Sequence, residues 1–231
     1  MSEPPSPAAG TGYAGRTKYD AARAARYAAR PARRDAEEWG VVARLLADVT
    51  FPRTVLDAPC GTGRIAARFL ERGAAVRLAD LSPDMLALAR ATADAAGDRA
   101  GPVLGVERLD LEETPPADAP RHDLVVCLRF LHHLGTEALR ARVLASLAAR
   151  SAARVIVSFH HPVSVHNLMR AVRLVGTGRR GDRHAIGLSR LVREAARAGL
   201  VFERAEALAR YRRDFWAARF RIDAPPGITA P

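Results

Sequence analysis

Three acidic residues of this chain each lie at or near the end of a short apolar run, where a polar ligand could be bound. They are Asp57, Asp80 and Asp110. A carboxylate can balance a cationic group or accept hydrogen bonds from both hydroxyls of a ribose. If the three apolar runs are neighbouring strands of one sheet, the carboxylates would share one edge. The pattern therefore predicts a site for a nucleoside.

A glycine-rich loop, Cys60-Gly61-Thr62-Gly63, follows Asp57 and leads into a helix-like segment. Glycines let a ligand approach the bare backbone at such a turn. The spacing Gly61-x-Gly63-x-x-Ala66 also fits the dinucleotide fingerprint. Asp57 favours a different ligand, because a carboxylate there would repel a pyrophosphate. It suits S-adenosylmethionine, which carries an ammonium and a sulfonium, whereas Asp80 is compatible with either ligand.

Several stretches resemble motifs of class I S-adenosylmethionine-dependent methyltransferases. Asp57 and the loop Cys60-Gly61-Thr62-Gly63 match the first motif of that family, and Leu81 to Leu86 is similar to the second. The segment Leu131-His132-His133-Leu134 resembles one found in small-molecule methyltransferases, including those of ubiquinone and menaquinone biosynthesis. The resemblance implies a methyltransferase that acts on a small acceptor, anionic or similar to a lipid or quinone.

The resemblance also implies roles for individual residues in binding the cofactor. Asp57 would lie near the methionine part, Asp80 would bind the ribose, and Asp110 would meet the adenine amino group beside the amide of Leu111. The other cofactor-binding positions that we carry over lie in the glycine loop, at strand ends and in the N-terminal region: Ala58, Cys60, Gly61, Gly63, Leu81, Cys127, Leu128 and Tyr19. We expect Cys60 to be a small packed residue and not a nucleophile.

Histidines are the candidate catalytic bases. His133 belongs to the Leu-His-His-Leu segment, and His160 and His161 follow the fifth predicted strand. An imidazole with a pKa near neutrality could take a proton from a hydroxyl acceptor. The alternative is a hydrogen-bonded loop histidine without a chemical role. We predict no metal, because adjacent histidines project differently and no cysteine or acid cluster completes a site.

Arginines are the candidate contacts to the acceptor. Arg129 lies at the end of the fourth predicted strand, where it could meet a carboxylate or point at solvent. Arg179 and Arg180 belong to a basic stretch after the fifth strand, a place where insertions in the family shape the substrate site. We expect these side chains to attract an anionic acceptor, with a solvated basic loop as the alternative.

Alternating strands and helices predict a doubly wound, Rossmann-like α/β fold with a parallel sheet. The family resemblance adds a seven-stranded sheet, a terminal antiparallel hairpin and N-terminal lid helices. We divide the chain into a mobile tail (1–15), a helical lid (16–50), a methyltransferase domain (51–223) with an insertion at about 162–187, and a C-terminal tail (224–231).

Composition bounds the remaining possibilities. The 231 residues carry a net charge of +11, almost wholly from arginine, because Lys18 is the only lysine. A positive field favours anionic partners, such as a small acid, nucleic acid or a peripheral lipid surface. No apolar run reaches the roughly 18 residues of a membrane span, no signal core is present, and two cysteines predict no disulfide framework. We therefore expect a cytoplasmic protein.

RNA methylation and non-catalytic cofactor binding are the competing functions. The fourth strand reads Asp-Leu-Val-Val-Cys-Leu-Arg-Phe, without the motifs of base-methylating enzymes, and aromatic residues do not alternate with the basic ones. We therefore do not expect nucleic acid as the partner. A sensor or an inactive partner subunit would retain the cofactor motifs. The sequence makes no prediction of the oligomeric state.

Overall fold

The computed structural model describes residues 32–97, 100–163, 184–209 and 213–223. Strands and helices alternate along this part of the chain. In order, the elements are α1 (Ala32–Leu46), β1 (Thr54–Asp57), α2 (Arg64–Leu70), β2 (Ala75–Asp80), α3 (Pro83–Asp94), β3 (Val103–Arg108), β4 (His122–Cys127), a single 3-10 turn (Leu131–His133), α4 (Glu137–Ala149), β5 (Ser151–His160), α5 (Leu188–Ala196), β6 (Leu200–Ala207) and β7 (Phe215–Ile222).

One seven-stranded sheet has the order β3-β2-β1-β4-β5-β7-β6. The first five strands run parallel to one another, whereas β7 runs antiparallel to both β5 and β6. This confirms the predicted doubly wound sheet and its terminal antiparallel pair. The order in which the strands are added to the sheet reverses between β1 and β4, and such a switch point opens a crevice at the carboxyl ends of the strands.

Two apolar clusters cover the two faces of the sheet. On one face, Trp39 and Leu45 of α1 pack with Phe69 of α2. On the other, Leu144 of α4 and Leu191 of α5 belong to the same cluster. These layers hold the carboxyl ends of the strands in fixed relation to one another. No helix within the described ranges is long and apolar enough to cross a membrane.

The observed elements differ from the predicted ones mainly at their ends. The predicted strand 103–110 ends at Arg108, although the next amide, that of Leu109, still donates to the Asp80 carbonyl of β2. The predicted strand 123–130 ends at Cys127, close to Arg129 with its positive φ of 59°. The predicted helices 19–30 and 163–174 lie wholly or almost wholly outside the described residues.

Candidate active site

The glycine loop between β1 and α2 is held to the neighbouring strand β2. The Cys60 amide donates to the Ala79 carbonyl at 2.8 Å, and the Gly61 amide donates to Oδ2 of Asp80 at 2.9 Å. Gly61 has φ +53° and Gly63 has φ +76°, both in the left-handed region that favours glycine. The loop is therefore shaped by its own backbone and by one carboxylate.

The two glycines of this loop have different reasons to be glycine. A Cβ on Gly63 would lie 2.8 Å from the Cα of Ala89 in α3, so the absence of a side chain allows loop and helix to touch. A Cβ on Gly61 would meet nothing within 4 Å among the described residues. Gly63 thus serves packing, whereas Gly61 leaves space open beside the loop.

Asp57 is a buried carboxylate, and one of its two oxygens has no hydrogen-bond partner among the described residues. It is 2% exposed, and no described group hydrogen-bonds its Oδ2. Burial, with a smaller contribution from the charge of Asp80, raises the pKa of Asp57 to about 8, although a hydrogen bond from the Ala66 amide opposes the shift. A cationic ligand would stabilise the ionised form, so the site fits the ammonium of S-adenosylmethionine.

Asp80 at the end of β2 and Asp110 just after β3 lie at the same edge of the sheet. Oδ1 of Asp80 accepts the Ser82 amide at 2.9 Å while Oδ2 holds Gly61. Burial raises the pKa of Asp80, and these amide bonds oppose the shift. Oδ1 of Asp110 accepts the Glu112 amide at 2.9 Å. Each carboxylate oxygen can accept a further hydrogen bond, so both residues suit ribose or adenine contacts.

A single cavity runs along the carboxyl ends of β1, β2, β3 and β4, and we call it the donor cavity. Nine of the predicted binding residues line it: Asp57, Cys60, Gly61, Asp80, Leu81, Asp110, Leu111, Leu128 and Arg129. Ala58, Gly63 and Cys127 do not line it. Ala58 and Cys127 are buried in the apolar cluster of one sheet face, and Gly63 abuts α3.

Further residues line the donor cavity that the sequence did not single out as binding residues. They include Glu38, Arg64, Met85 and Phe130. Met85 and Arg64 lie within or beside recognised motifs, so the motif boundaries could have suggested them. Glu38 precedes Arg129 by 91 residues, and no local pattern indicates that the two meet.

Two ion pairs join α1 to the donor cavity, and we call them the α1 ion pairs. Glu38 pairs with Arg129, and Asp35 pairs with Arg64. Asp35 and Glu38 are three residues apart and so lie on one face of the helix. The Arg129 amide also donates to Oγ of Ser158 at 2.6 Å. The guanidinium of Arg129 thereby ties α1 to the end of β4, and its contact with the acceptor stays a prediction.

Both cysteines are buried free thiols. Burial raises the pKa of Cys60, and the charges of Asp57 and Asp80 raise it further. Burial raises the pKa of Cys127 as well. Because the thiolate is the nucleophilic form, neither side chain is suited to covalent chemistry. This agrees with the expectation that Cys60 is a small packed residue.

Histidines gather where β4 and β5 end. The buried ring of His132 stacks on His160, with centroids 4.1 Å apart and planes 13° from parallel, and His133 lies 4.0 Å from His132. His160 ends β5 and His161 follows it, and Nδ1 of His160 lies 3.1 Å from Oδ2 of Asp214. The structure thus brings the three candidate bases to the same edge of the sheet as the donor cavity, and none of the three lines that cavity.

Three predicted contacts lie outside the described residues: Tyr19, Arg179 and Arg180. The substrate insertion is described only at its two ends, up to Val163 and from His184 onward. Within the described ranges, no three His, Cys, Asp or Glu side chains are grouped so that they could hold a metal ion.

Comparison with known proteins identifies the domain. Residues 55–152 match the family described as "Methyltransferase domain". This stretch begins in β1 and extends to the start of β5, so it includes every residue of the donor cavity except Glu38. No curated protein matches the chain.

Solved structures share the fold. Magnesium protoporphyrin IX methyltransferase from Synechocystis PCC 6803, crystallised with SAH, is 21% identical in sequence to this chain. The aligned region covers 82% of this chain and 84% of that protein, with a TM-score of 0.66. A TehB-like SAM-dependent methyltransferase from Corynebacterium glutamicum is 22% identical. The aligned region covers 88% of this chain and 100% of that protein, with a TM-score of 0.59. The pyocyanin biosynthetic protein PhzM is 18% identical. The aligned region covers 79% of this chain and 54% of that protein, with a TM-score of 0.59.

These likenesses agree with the strand order, and the matched domain contains the glycine loop and its acidic partners. Residues 55–152 of this chain therefore form a methyltransferase domain, and the described residues have a Rossmann-like methyltransferase fold.

Proposed function

We propose that the protein transfers the methyl group of S-adenosylmethionine to a small-molecule acceptor that carries an anionic group. The observation that carries the proposal is the distribution of charge. Of the net charge of +11, the described residues hold only +2, because their 23 arginines face 21 acidic side chains. The remaining +9 belongs to three segments: 1–31, 164–183 and 210–212.

These three segments join the described fold at the edge of the sheet that carries the donor cavity. Segment 1–31 precedes α1, whose Asp35 contacts Arg64 of the cavity wall. Segment 164–183 begins four residues after His160. His184 directly follows the segment, and its amide donates to the His132 carbonyl at 2.7 Å. Segment 210–212 lies just before β7, which starts opposite the end of β5. The described neighbours of all three segments therefore lie at this edge, which supports an acceptor with an anionic group.

Methyl transfer needs alignment more than side-chain chemistry. The cofactor supplies an electrophilic methyl group on a sulfonium. The protein has to place the acceptor atom in line with it and exclude water, which can account for several kcal/mol of the barrier. We propose that the donor-cavity residues bind the cofactor as predicted, with Tyr19 and the helical lid, residues 16–50, covering it. His133, His160 and His161 are the proposed bases for a hydroxyl acceptor.

Incubation with labelled S-adenosylmethionine and a panel of acceptors tests the proposal. The panel pairs phenolic acids, such as protocatechuate and gallate, with their uncharged methyl esters. We expect methyl transfer to the acids at lower KM than to the esters. Turnover that favours the esters would contradict the anionic preference. Cofactor binding without transfer to any acceptor of the panel would favour the non-catalytic alternative.

RNA is the second candidate acceptor, because the same surplus of arginine would also attract phosphates. Titration of tRNA at two salt concentrations separates the two acceptors. We expect weak binding without methyl incorporation. Tight, salt-sensitive binding with incorporation into the RNA would overturn the small-molecule proposal. A cytoplasmic location, peripheral lipid contact and a quinone-like or lipid-like acceptor stay predictions from the sequence.

A further inference from the structure

The donor cavity has to bind an anionic group as well as a cationic one if the donor is S-adenosylmethionine. The ammonium and the carboxylate of its methionine part are attached to the same carbon, so the two groups bind side by side. Asp57, with one oxygen that no described group hydrogen-bonds, fits the ammonium. The described lining of the cavity contains two cations that could bind the carboxylate, Arg64 and Arg129.

Arg64 adjoins the place where Asp57 would bind the ammonium. It is the first residue of α2 and directly follows the glycine loop. Two residues further along the helix, the amide of Ala66 donates a hydrogen bond to the Asp57 carboxylate. The Asp57 carboxylate therefore lies against the same turn of α2 that carries Arg64. A ligand whose ammonium meets Asp57 would bring its carboxylate to this turn.

The guanidinium of Arg64 can bind a second carboxylate. Its Nη1 pairs with Asp35 of α1, and Asp35 does not line the cavity. A guanidinium has five N–H donors in one plane, so it can hold one carboxylate on each of two sides. The partner of Arg129 is Glu38, which itself lines the cavity and would repel a bound carboxylate. Arg64 is therefore the cation that suits the methionine carboxylate.

The hydroxyl of Thr62 is a second, independent indication of a ligand at this place. Thr62 lies in the glycine loop two residues before Arg64, lines the donor cavity and is only 6% exposed. Its Oγ1 is buried and has no hydrogen-bond partner among the described residues. A buried hydroxyl without a hydrogen bond destabilises the free protein. A bound carboxylate could accept the missing hydrogen bond.

We infer that Thr62 and Arg64 form a carboxylate subsite in the donor cavity, which makes the protein specific for a donor with an intact α-amino acid. This inference rests on the proposed function, because it takes S-adenosylmethionine as the donor. Arg64 contributes a charge-assisted hydrogen bond and Thr62 a hydrogen bond from a neutral group. Together with Asp57, they recognise both charged groups of the methionine part. Decarboxylated S-adenosylmethionine, which lacks only the carboxylate, should therefore bind more weakly.

Calorimetric binding of S-adenosylmethionine and of its decarboxylated form tests the subsite. We expect the wild type to bind the intact donor at least about 10-fold more tightly than the decarboxylated one. Arg64→Gln should weaken binding of the intact donor by about 10- to 100-fold. It should not weaken binding of the decarboxylated form, because only the intact donor loses a partner. Thr62→Val, similar in shape, should weaken binding of the intact donor by about five-fold and leave that of the decarboxylated form unchanged.

Two further variants separate recognition of the carboxylate from support of the fold. Arg68→Gln, one turn further along α2 and paired with the exposed Glu71, is the matched control and should change neither affinity. Asp35→Asn removes the ion pair to α1 but keeps the guanidinium, so it should retain the preference for the intact donor.

The ratio of the two affinities decides the outcome. An unchanged ratio in folded Arg64→Gln would overturn the inference, and so would a wild type that binds both ligands equally. If Arg64→Gln does not fold, an unchanged ratio in Thr62→Val has the same meaning. A wild type that binds neither ligand would contradict the proposed donor, and with it the proposed function, instead.

Discussion

The donor half and the acceptor half of the sheet edge are assembled in different ways. The donor half, at the ends of β1, β2 and β3, takes most of its residues from the stretch 57–112, and its carboxylates hold the loops beside them. The acceptor half joins Arg129, His160 and Asp214 from separate elements, and it borders the basic segments.

The donor half is formed by residues that are close together in the sequence, whereas the acceptor half depends on contacts between residues far apart in the sequence. In the donor half, backbone amides and glycines fix the ligand site locally. In the acceptor half, each functional group is held by a partner far along the chain, as Glu38 holds Arg129 across 91 residues. Changes in the donor half should therefore alter cofactor binding or folding, and changes in the acceptor half should alter turnover.

The largest effect is expected from Gly63→Ala in the donor half. The new Cβ would contact the backbone of Ala89 at 2.8 Å, and φ is +76°. Overpacking of about 1–3 kcal/mol and a left-handed alanine of about 1–2 kcal/mol together predict about 2–5 kcal/mol of lost stability. Urea unfolding measures it. Gly61→Ala is the matched control, because it shares the positive φ without the clash, so equal losses in both variants would contradict the packing role.

Glu38→Gln tests the connection between the two halves. We expect it to lower the free energy of unfolding by about 2–3 kcal/mol, because the largely buried guanidinium of Arg129 loses its carboxylate partner. Thermal unfolding and the dissociation rate of S-adenosylmethionine measure this, and we expect faster dissociation. The control is Glu71→Gln, whose partners Arg68 and Arg72 are exposed. A dissociation rate equal to the wild type would show that the α1 ion pairs do not retain the cofactor.

The sequence predicted the sheet and nine of the cavity residues, because strand ends and the glycine loop are local patterns. It did not predict the partners Glu38 and Asp214, because packing in three dimensions brings them to Arg129 and His160. It also could not tell His160 from His161. Their surroundings differ because Asp214 lies beside the ring of His160, whereas the Val163 amide donates to the ring of His161.

A smaller effect is expected from Asp57→Ala. Loss of a charge-assisted contact to the cationic cofactor should weaken binding by about 10- to 100-fold, a free energy of about 1.5–3 kcal/mol. Equilibrium binding of S-adenosylmethionine measures it. The folded state should not lose stability at neutral pH, since the removed carboxyl is buried and costly to ionise. A loss of stability equal to the loss of binding energy would indicate a structural role instead.

The smallest effect is expected from the double variant Arg179→Ala, Arg180→Ala. We predict about a five-fold rise in the acceptor KM for protocatechuate, with kcat unchanged, because solvated charges attract an anion only weakly. The rise should shrink at high salt. Arg53→Ala, on the segment that enters β1 at the opposite edge, is the control. An unchanged KM would refute the acceptor role of these two arginines.

Calorimetric titration of S-adenosylmethionine at pH 7, in two buffers of different ionisation enthalpy, tests the donor cavity most directly. The pKa of Asp57 is about 8 in the free protein, so its carboxyl is mostly protonated at this pH. A bound ammonium lowers that pKa, and the affinity should therefore rise with pH up to about 8. We predict one cofactor per chain with release of close to one proton, and no release in Asp57→Asn. Binding without proton release, or NAD binding in place of S-adenosylmethionine, would contradict the account.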